Sequence, residues 1–68
     1  MKKISVIIAH RHATSFTLED EFYAALKEIA KFYKTNITRI VTEIDKNRGD
    51  QSLSSALRVY ILQQIRKI

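Results

Sequence analysis

The sequence predicts a mainly α fold with two short β-strands at its start, and three observations predict it. From Leu18 onward apolar residues recur three or four positions apart, the spacing of a helix face. Over the first 18 residues the period is instead two, and β-branched and aromatic side chains are frequent. The chain has one glycine and no proline, so it offers few breaks to long helices. A length of 68 residues makes residues 1–68 a single domain.

The strands are expected at about 3–9 and 13–18. In the first, Ile4, Val6 and Ile8 alternate with Ser5, Ile7 and Ala9. In the second, Thr14, Phe16 and Leu18 share a mostly apolar face, while Ala13, Ser15 and Thr17 share a small, polar one. Three helices follow, at about 19–33, 37–47 and 52–66. The first carries Leu18, Phe22, Leu26, Ile29, Ala30 and Tyr33 as one stripe. Glu19, Asp20 and Glu21 stand in its first turn, where carboxylates meet the positive helix end. Asn36 is a good N-cap for the second helix, whose apolar residues are Ile37, Ile40, Val41 and Ile44. Lys46 to Gly49 suits its C-terminus. Asp50 or Ser52 can cap the third helix, which has a wide stripe of Leu53, Ala56, Leu57, Tyr60, Ile61, Gln64 and Ile65.

A chain this short buries only roughly 60% of the surface its unfolded form exposes. Small domains usually need a staple, and without cysteine there is neither a disulfide nor a thiolate metal site. The expected staple is a second copy of the chain. Twelve basic against seven acidic residues give a net charge of +5, which points first to nucleic acid, then to acidic partners or lipid headgroups. One glycine and no proline leave little material for phosphate loops or tight active-site turns, so an enzyme is not expected. Lys2 and Lys3 precede an apolar run, Ile4 to Ala9, that is too short for a signal-peptide core. No stretch approaches the 18 apolar residues of a membrane span, and the expected location is the cytoplasm.

A short strand followed by two amphipathic helices, with Asn36 opening the second, resembles the ribbon-helix-helix superfamily of repressors. Residues Ser15 to Ala30 carry that match. The Ile44-Asp45 pair and the run Leu53-Ser-Ser-Ala-Leu-Arg-Val59 make the chain similar to the short single-domain bacterial ribbon-helix-helix proteins of unassigned function. The resemblance implies a homodimer. Two protomers pair their strands into an antiparallel ribbon above intertwined helices, the ribbon enters the DNA major groove, and the N-terminus of the second helix binds phosphate. The dimer core would be Phe16, Leu18, Phe22, Leu26, Ile29, Ile40, Val41 and Ile44. The ribbon face would be Arg11, Ala13, Ser15 and Thr17. The phosphate-binding residues would be Lys34, Thr35, Asn36, Thr38 and Arg39. The third helix and the N-terminal strand are additions to the minimal fold.

Two departures from the family pattern stand out. Typical repressors place Arg, Lys, Asn or Gln on the ribbon, where bidentate base contacts are made; Ser and Thr hydroxyls discriminate weakly. DNA binding is therefore expected to be mostly electrostatic. The turn before the second helix has Lys34 where glycine is common, and a non-glycine residue with positive φ is disfavoured.

Other constellations read as ordinary structure. His10 and His12 share one side of a strand, but no third ligand is evident and Arg11 between them repels a cation, so no metal site is expected. Ser54 and Ser55 near Asp50 have no general base at motif spacing, and helix capping accounts for serines at a helix start, so no catalytic residue is expected. No cofactor is required. Tyr33 and Tyr60 fall on apolar stripes and read as core; Tyr23 falls off them.

The leading functional reading is a small transcription regulator acting as a dimer on duplex DNA, a repressor that occludes a promoter. Its rival is a protein-interaction module, antitoxin-like or an assembly adaptor, with the C-terminal helix as the partner surface. A membrane-surface role for that helix is weaker, because its basic face is modest. Residues 3–9 have two readings. As an outer strand they make the dimer ribbon four-stranded, roughly 14 Å across, against a major groove about 12 Å wide. As a mobile arm, their Lys2 and Lys3 can follow phosphates. Three β-branched apolar side chains favour the strand.

Overall fold

The computed structural model describes residues 1–8 and 12–67, apart from the side chain of His12. Of the residues expected on the ribbon face, Arg11 lies outside the described residues, as does His10 of the histidine pair.

Strands β1 (Lys2–Ile8) and β2 (His12–Leu18) form a two-stranded antiparallel hairpin. The N-terminal segment is thus a strand paired with β2 within the chain. Its cause is the alternation in β1: Ile4, Val6 and Ile8 are half-buried against the core, whereas Lys3, Ser5 and Ile7 face solvent. In register, Ile4 lies opposite Phe16 and Val6 opposite Thr14 on the inner face.

Helix α1 (Asp20–Phe32) begins after the extended Glu19 and buries Leu26, Ile29 and Ala30. Its end is a Schellman turn. The Lys34 N–H donates to the Lys31 carbonyl at 3.1 Å, and the Thr35 N–H reaches back to the Ala30 carbonyl at 2.8 Å. That turn needs a left-handed residue, and Lys34 supplies it with φ of 57°. Helix α2 (Ile37–Asn47) buries Ile40 and Val41. Gly49, with φ of +61°, reverses the chain after it, and Ser52 caps α3 (Leu53–Lys67), its hydroxyl accepting the Ser55 N–H at 3.1 Å.

The core draws on every element after β1. Leu18, Leu26, Val41, Leu57 and Ile61 have no accessible surface, and Phe16, Ile29, Ile40 and Leu53 are nearly as enclosed. Phe22 and Ile44 are half-buried at its margin. The residues expected to form a dimer core thus sit in, or against, a core closed within one chain. Helix α3 closes it: Leu53, Leu57 and Ile61 lie in the same cluster as Phe16 and Leu18, so these two strand residues are covered without a partner. The wide stripe of α3 is largely absorbed here.

Tyr33 is a correction. It is 47% exposed rather than in the core, because α1 ends at Phe32 and Tyr33 occupies the C-cap, off the helical stripe. Its hydroxyl donates to Gln64 of α3, and its ring meets Phe32 edge-on. Tyr60 is half-buried against the core.

Candidate nucleic-acid interface

Two surfaces carry the polar and basic residues that could meet a polyanion. The first is the outer face of the hairpin. Strict alternation puts Ala13, Ser15 and Thr17 on it, and the register sets Ile7, Ser5 and Lys3 directly beside them. Lys3, Ser5, Ala13 and Ser15 are exposed, and Ile7 is 66% exposed. No acidic residue occurs from Met1 to Leu18, so this face is uniformly neutral or positive. Lys2, one residue away, points to the opposite face. Its Nζ lies 5.3 Å from the centre of the Tyr23 ring, and Lys27 approaches the same ring to 5.0 Å. The Lys2 contact joins the start of β1 to α1, the Lys27 contact lies within α1, and the off-stripe Tyr23 also packs against the core.

The outer edge of β2 is partly used. The Thr17 N–H donates to the Ser54 hydroxyl at 3.0 Å. That bond shows which way the strand's amides point. Ala13, Ser15 and Thr17 direct theirs away from β1, and Thr14 and Phe16 direct theirs into the hairpin.

The second surface is the start of α2. The Asn36 side-chain oxygen accepts the Arg39 N–H at 2.9 Å, as an N-cap does. The first-turn N–H groups of Ile37 and Thr38 have no intrahelical acceptor by helix geometry, and they point outward at the positive helix end. Lys34, Thr38 and Arg39 are exposed around them. Thr35, Thr38, Arg39, Thr42, Glu43 and Lys46 are among the residues lining an open groove of about 540 Å³ that runs on along the helix. An oxyanion placed there would meet backbone donors, hydroxyls and two cations.

Of the acidic residues, Glu43 lines the α2 groove beside Arg39 and Lys46, while two others are engaged elsewhere. Glu19 pairs with Arg58 of α3 at 3.1 Å, and its carboxyl is held below the ordinary value of 4.5 by its own backbone N–H first and by Arg58 second. Asp45 pairs with Arg48 at 2.7 Å.

The structure thus brings Ala13, Ser15 and Thr17 into one row and gathers Lys34, Thr35, Asn36, Thr38 and Arg39 around one helix start. The row-mates from β1, namely Lys3, Ser5 and Ile7, are absent from the sequence-based site. The signal was available: in a hairpin joining residues 8 and 12, odd positions of β1 must face the same way as odd positions of β2. Among the described residues there is no group of three His, Cys, Asp or Glu side chains able to hold a metal ion. No described helix is long and apolar enough to cross a membrane.

A strand hairpin leading into amphipathic helices, with a capped second helix amid cations, defines a small domain built to present a strand face. The chain belongs to the ribbon-helix-helix family: the family model, described as a ribbon-helix-helix domain, matches residues 1–65. Domains of this family are generally DNA-binding transcription regulators or antitoxins, and they typically dimerise. No curated protein and no solved structure matches the chain.

Proposed function

We propose that this protein binds duplex DNA as a homodimer and acts as a small transcription repressor in the cytoplasm. The family match over residues 1–65 carries the reading. The geometry supports it in two ways: the hairpin's outer face is free of acidic side chains, and the α2 N-terminus offers Lys34, Thr35, Asn36, Thr38 and Arg39 to a phosphate. Neither role needs a cofactor or catalytic chemistry. A duplex-DNA shift assay at two salt concentrations tests it. Binding should weaken steeply with added salt, and Lys34→Ala and Arg39→Ala should each weaken binding to all duplexes alike, lowering the salt slope by about one unit per lost phosphate contact. Binding that salt and these substitutions leave unchanged would refute it.

One observation favours a second reading, a protein partner taken through α3. Val59, Leu62 and Ile65 of that helix are 45%, 54% and 50% exposed, and Phe32 of α1, beside Ile65, is 60% exposed. Retention of a partner at high salt, with no duplex bound, would favour this antitoxin-like or adaptor role.

A further inference from the structure

We infer that β1 is an autoinhibitory strand: paired with β2 it keeps the dimer ribbon out of the DNA major groove, and duplex binding requires it to peel away. The inference rests on the DNA-binding reading above and on the ribbon that the family resemblance implies, one β2 from each protomer.

Three observations carry it. First, β1 pairs with β2 over its whole length, from Lys2 opposite Leu18 to Ile8 opposite His12. A twin strand can join β2 at either of two edges, and β1 obstructs groove docking in both cases. At the edge away from β1, toward which Ala13 and Ser15 direct their amides, the twin completes a sheet of four strands. Its outermost strands lie roughly 14 Å apart before side chains are counted, and a major groove about 12 Å wide accepts two strands, not four. At the edge that faces β1, the ladder is already taken, and no ribbon forms until β1 leaves. Second, β1 is the less firmly held of the two strands. Its core-facing Ile4, Val6 and Ile8 are only half-buried, whereas Phe16 and Leu18 of β2 are 3% and 0% exposed. Local opening begins where the fewest apolar contacts are buried, so β1 can detach while β2 keeps its place in the core. Third, detachment releases charge that suits phosphate. Lys2, whose Nζ lies 5.3 Å from the centre of the Tyr23 ring, and Lys3 become a basic arm able to follow the DNA backbone. No acidic residue from Met1 to Leu18 opposes that. These contacts offset part of the apolar area that Ile4, Val6 and Ile8 lose to water. Apparent affinity is then the intrinsic affinity scaled by the fraction of chains with β1 detached.

The chain has no cysteine, so one engineered disulfide can lock the strand without competing thiols. Ser5 and Ser15 lie directly opposite each other as a non-hydrogen-bonded pair, the kind whose side chains are closer. In the double variant Ser5→Cys/Ser15→Cys, the oxidised form holds β1 on β2, and the reduced form is the same protein with the strand released. The probe is a pool of short duplexes with randomised centres, at low salt. The oxidised form should bind it at least about tenfold more weakly than the reduced form, because the detached fraction falls towards zero. Val6→Thr lies on the core-facing side, away from the row that meets DNA. It should loosen β1 and tighten duplex binding by about fivefold, the population shift expected from weakening one half-buried apolar contact. In the wild-type complex, the amides of Ile4 and Val6, which point into the hairpin, should lose the hydrogen-exchange protection they have in the free protein. Three results would overturn the inference while leaving DNA binding intact: equal binding by the oxidised and reduced forms, unchanged or weaker binding by Val6→Thr, or protection retained at Ile4 and Val6 in the saturated complex. Failure of the wild type to bind any duplex at low salt would instead refute the DNA-binding reading, and this inference with it.

Discussion

The backbone N–H of Thr17 donates to the side-chain hydroxyl of Ser54 at 3.0 Å, joining the outer edge of β2 to the first turn of α3 across 37 positions of sequence. A half-buried amide at a sheet edge normally pairs with another strand or with water. Here a helix serine takes that place, and it does so beside the strand residues that α3 covers.

Ser54→Ala should therefore leave the Thr17 amide without its acceptor. The expected cost is about 1 kcal/mol, since the site is only part-buried and water can replace some of the bond. Ser55→Ala, on the next residue, should stay within about 0.5 kcal/mol. Urea titrations of the two variants check this, and equal midpoints would show that the edge bond contributes nothing.

Lys34 should respond in the opposite direction. It holds the left-handed position of the turn after α1 with φ of 57°, a conformation that costs a non-glycine residue roughly 1 kcal/mol. Lys34→Gly removes that strain at a smaller entropic cost, and the folded state should gain up to about 1 kcal/mol. The same substitution deletes a cation at the proposed phosphate site, so duplex affinity at low salt should fall as thermal stability rises. Loss of both together would mean that Lys34 makes a structural contact beyond its backbone role.

The charge pair between Glu19 and Arg58 gives a pH dependence with a definite sign. The Glu19 carboxyl titrates below its ordinary value of 4.5 in the folded chain. Its contribution to stability is therefore present above that ordinary value and is lost as pH falls through the lower, folded one. The unfolding midpoint of the wild type should exceed that of Glu19→Gln near neutral pH, and the gap should close in acid. Arg58→Met should narrow the gap without abolishing it, because the largest cause of the shift is Glu19's own backbone N–H. A gap that is constant with pH would show that the pair contributes nothing through ionisation.

Local signals in the sequence carry most of this fold. The alternation at Ile4, Val6 and Ile8, the cap at Asn36 and the stripes at Leu26/Ile29 and Leu53/Leu57/Ile61 each depend on neighbours a few residues away, and each takes its expected form. Tyr33 is misread because a stripe does not reveal where a helix stops; Lys34 entering the left-handed region one residue later decides that. The covering of Phe16 and Leu18 is also not legible. Periodicity identifies an apolar face but not the element that will pack on it, and α3 and a partner's helices are equivalent from that viewpoint. For the candidate site, β2 and the start of α2 were readable from residue type, while Lys3 became part of the surface only once the hairpin register was known.

The closed core bears on how the protein folds and assembles. Phe16, at 3% exposure, and Leu57, at 0%, belong to one cluster of buried residues within the chain. Phe16→Ala should cost roughly 3–5 kcal/mol and Leu57→Ala roughly 2–5, which in a domain of this size is a large part of the total stability. If the folding unit is the single chain, these losses should be intrinsic to it. The urea midpoint of the wild type should then be independent of protein concentration over about a hundredfold range, because only a folding step coupled to association shifts by mass action. Light scattering on the same dilution series should show the dimer dissociating into folded chains before they unfold. A midpoint that falls with dilution would show instead that two chains share the core, returning Phe16 and Leu18 to the intertwined arrangement that the family resemblance implies.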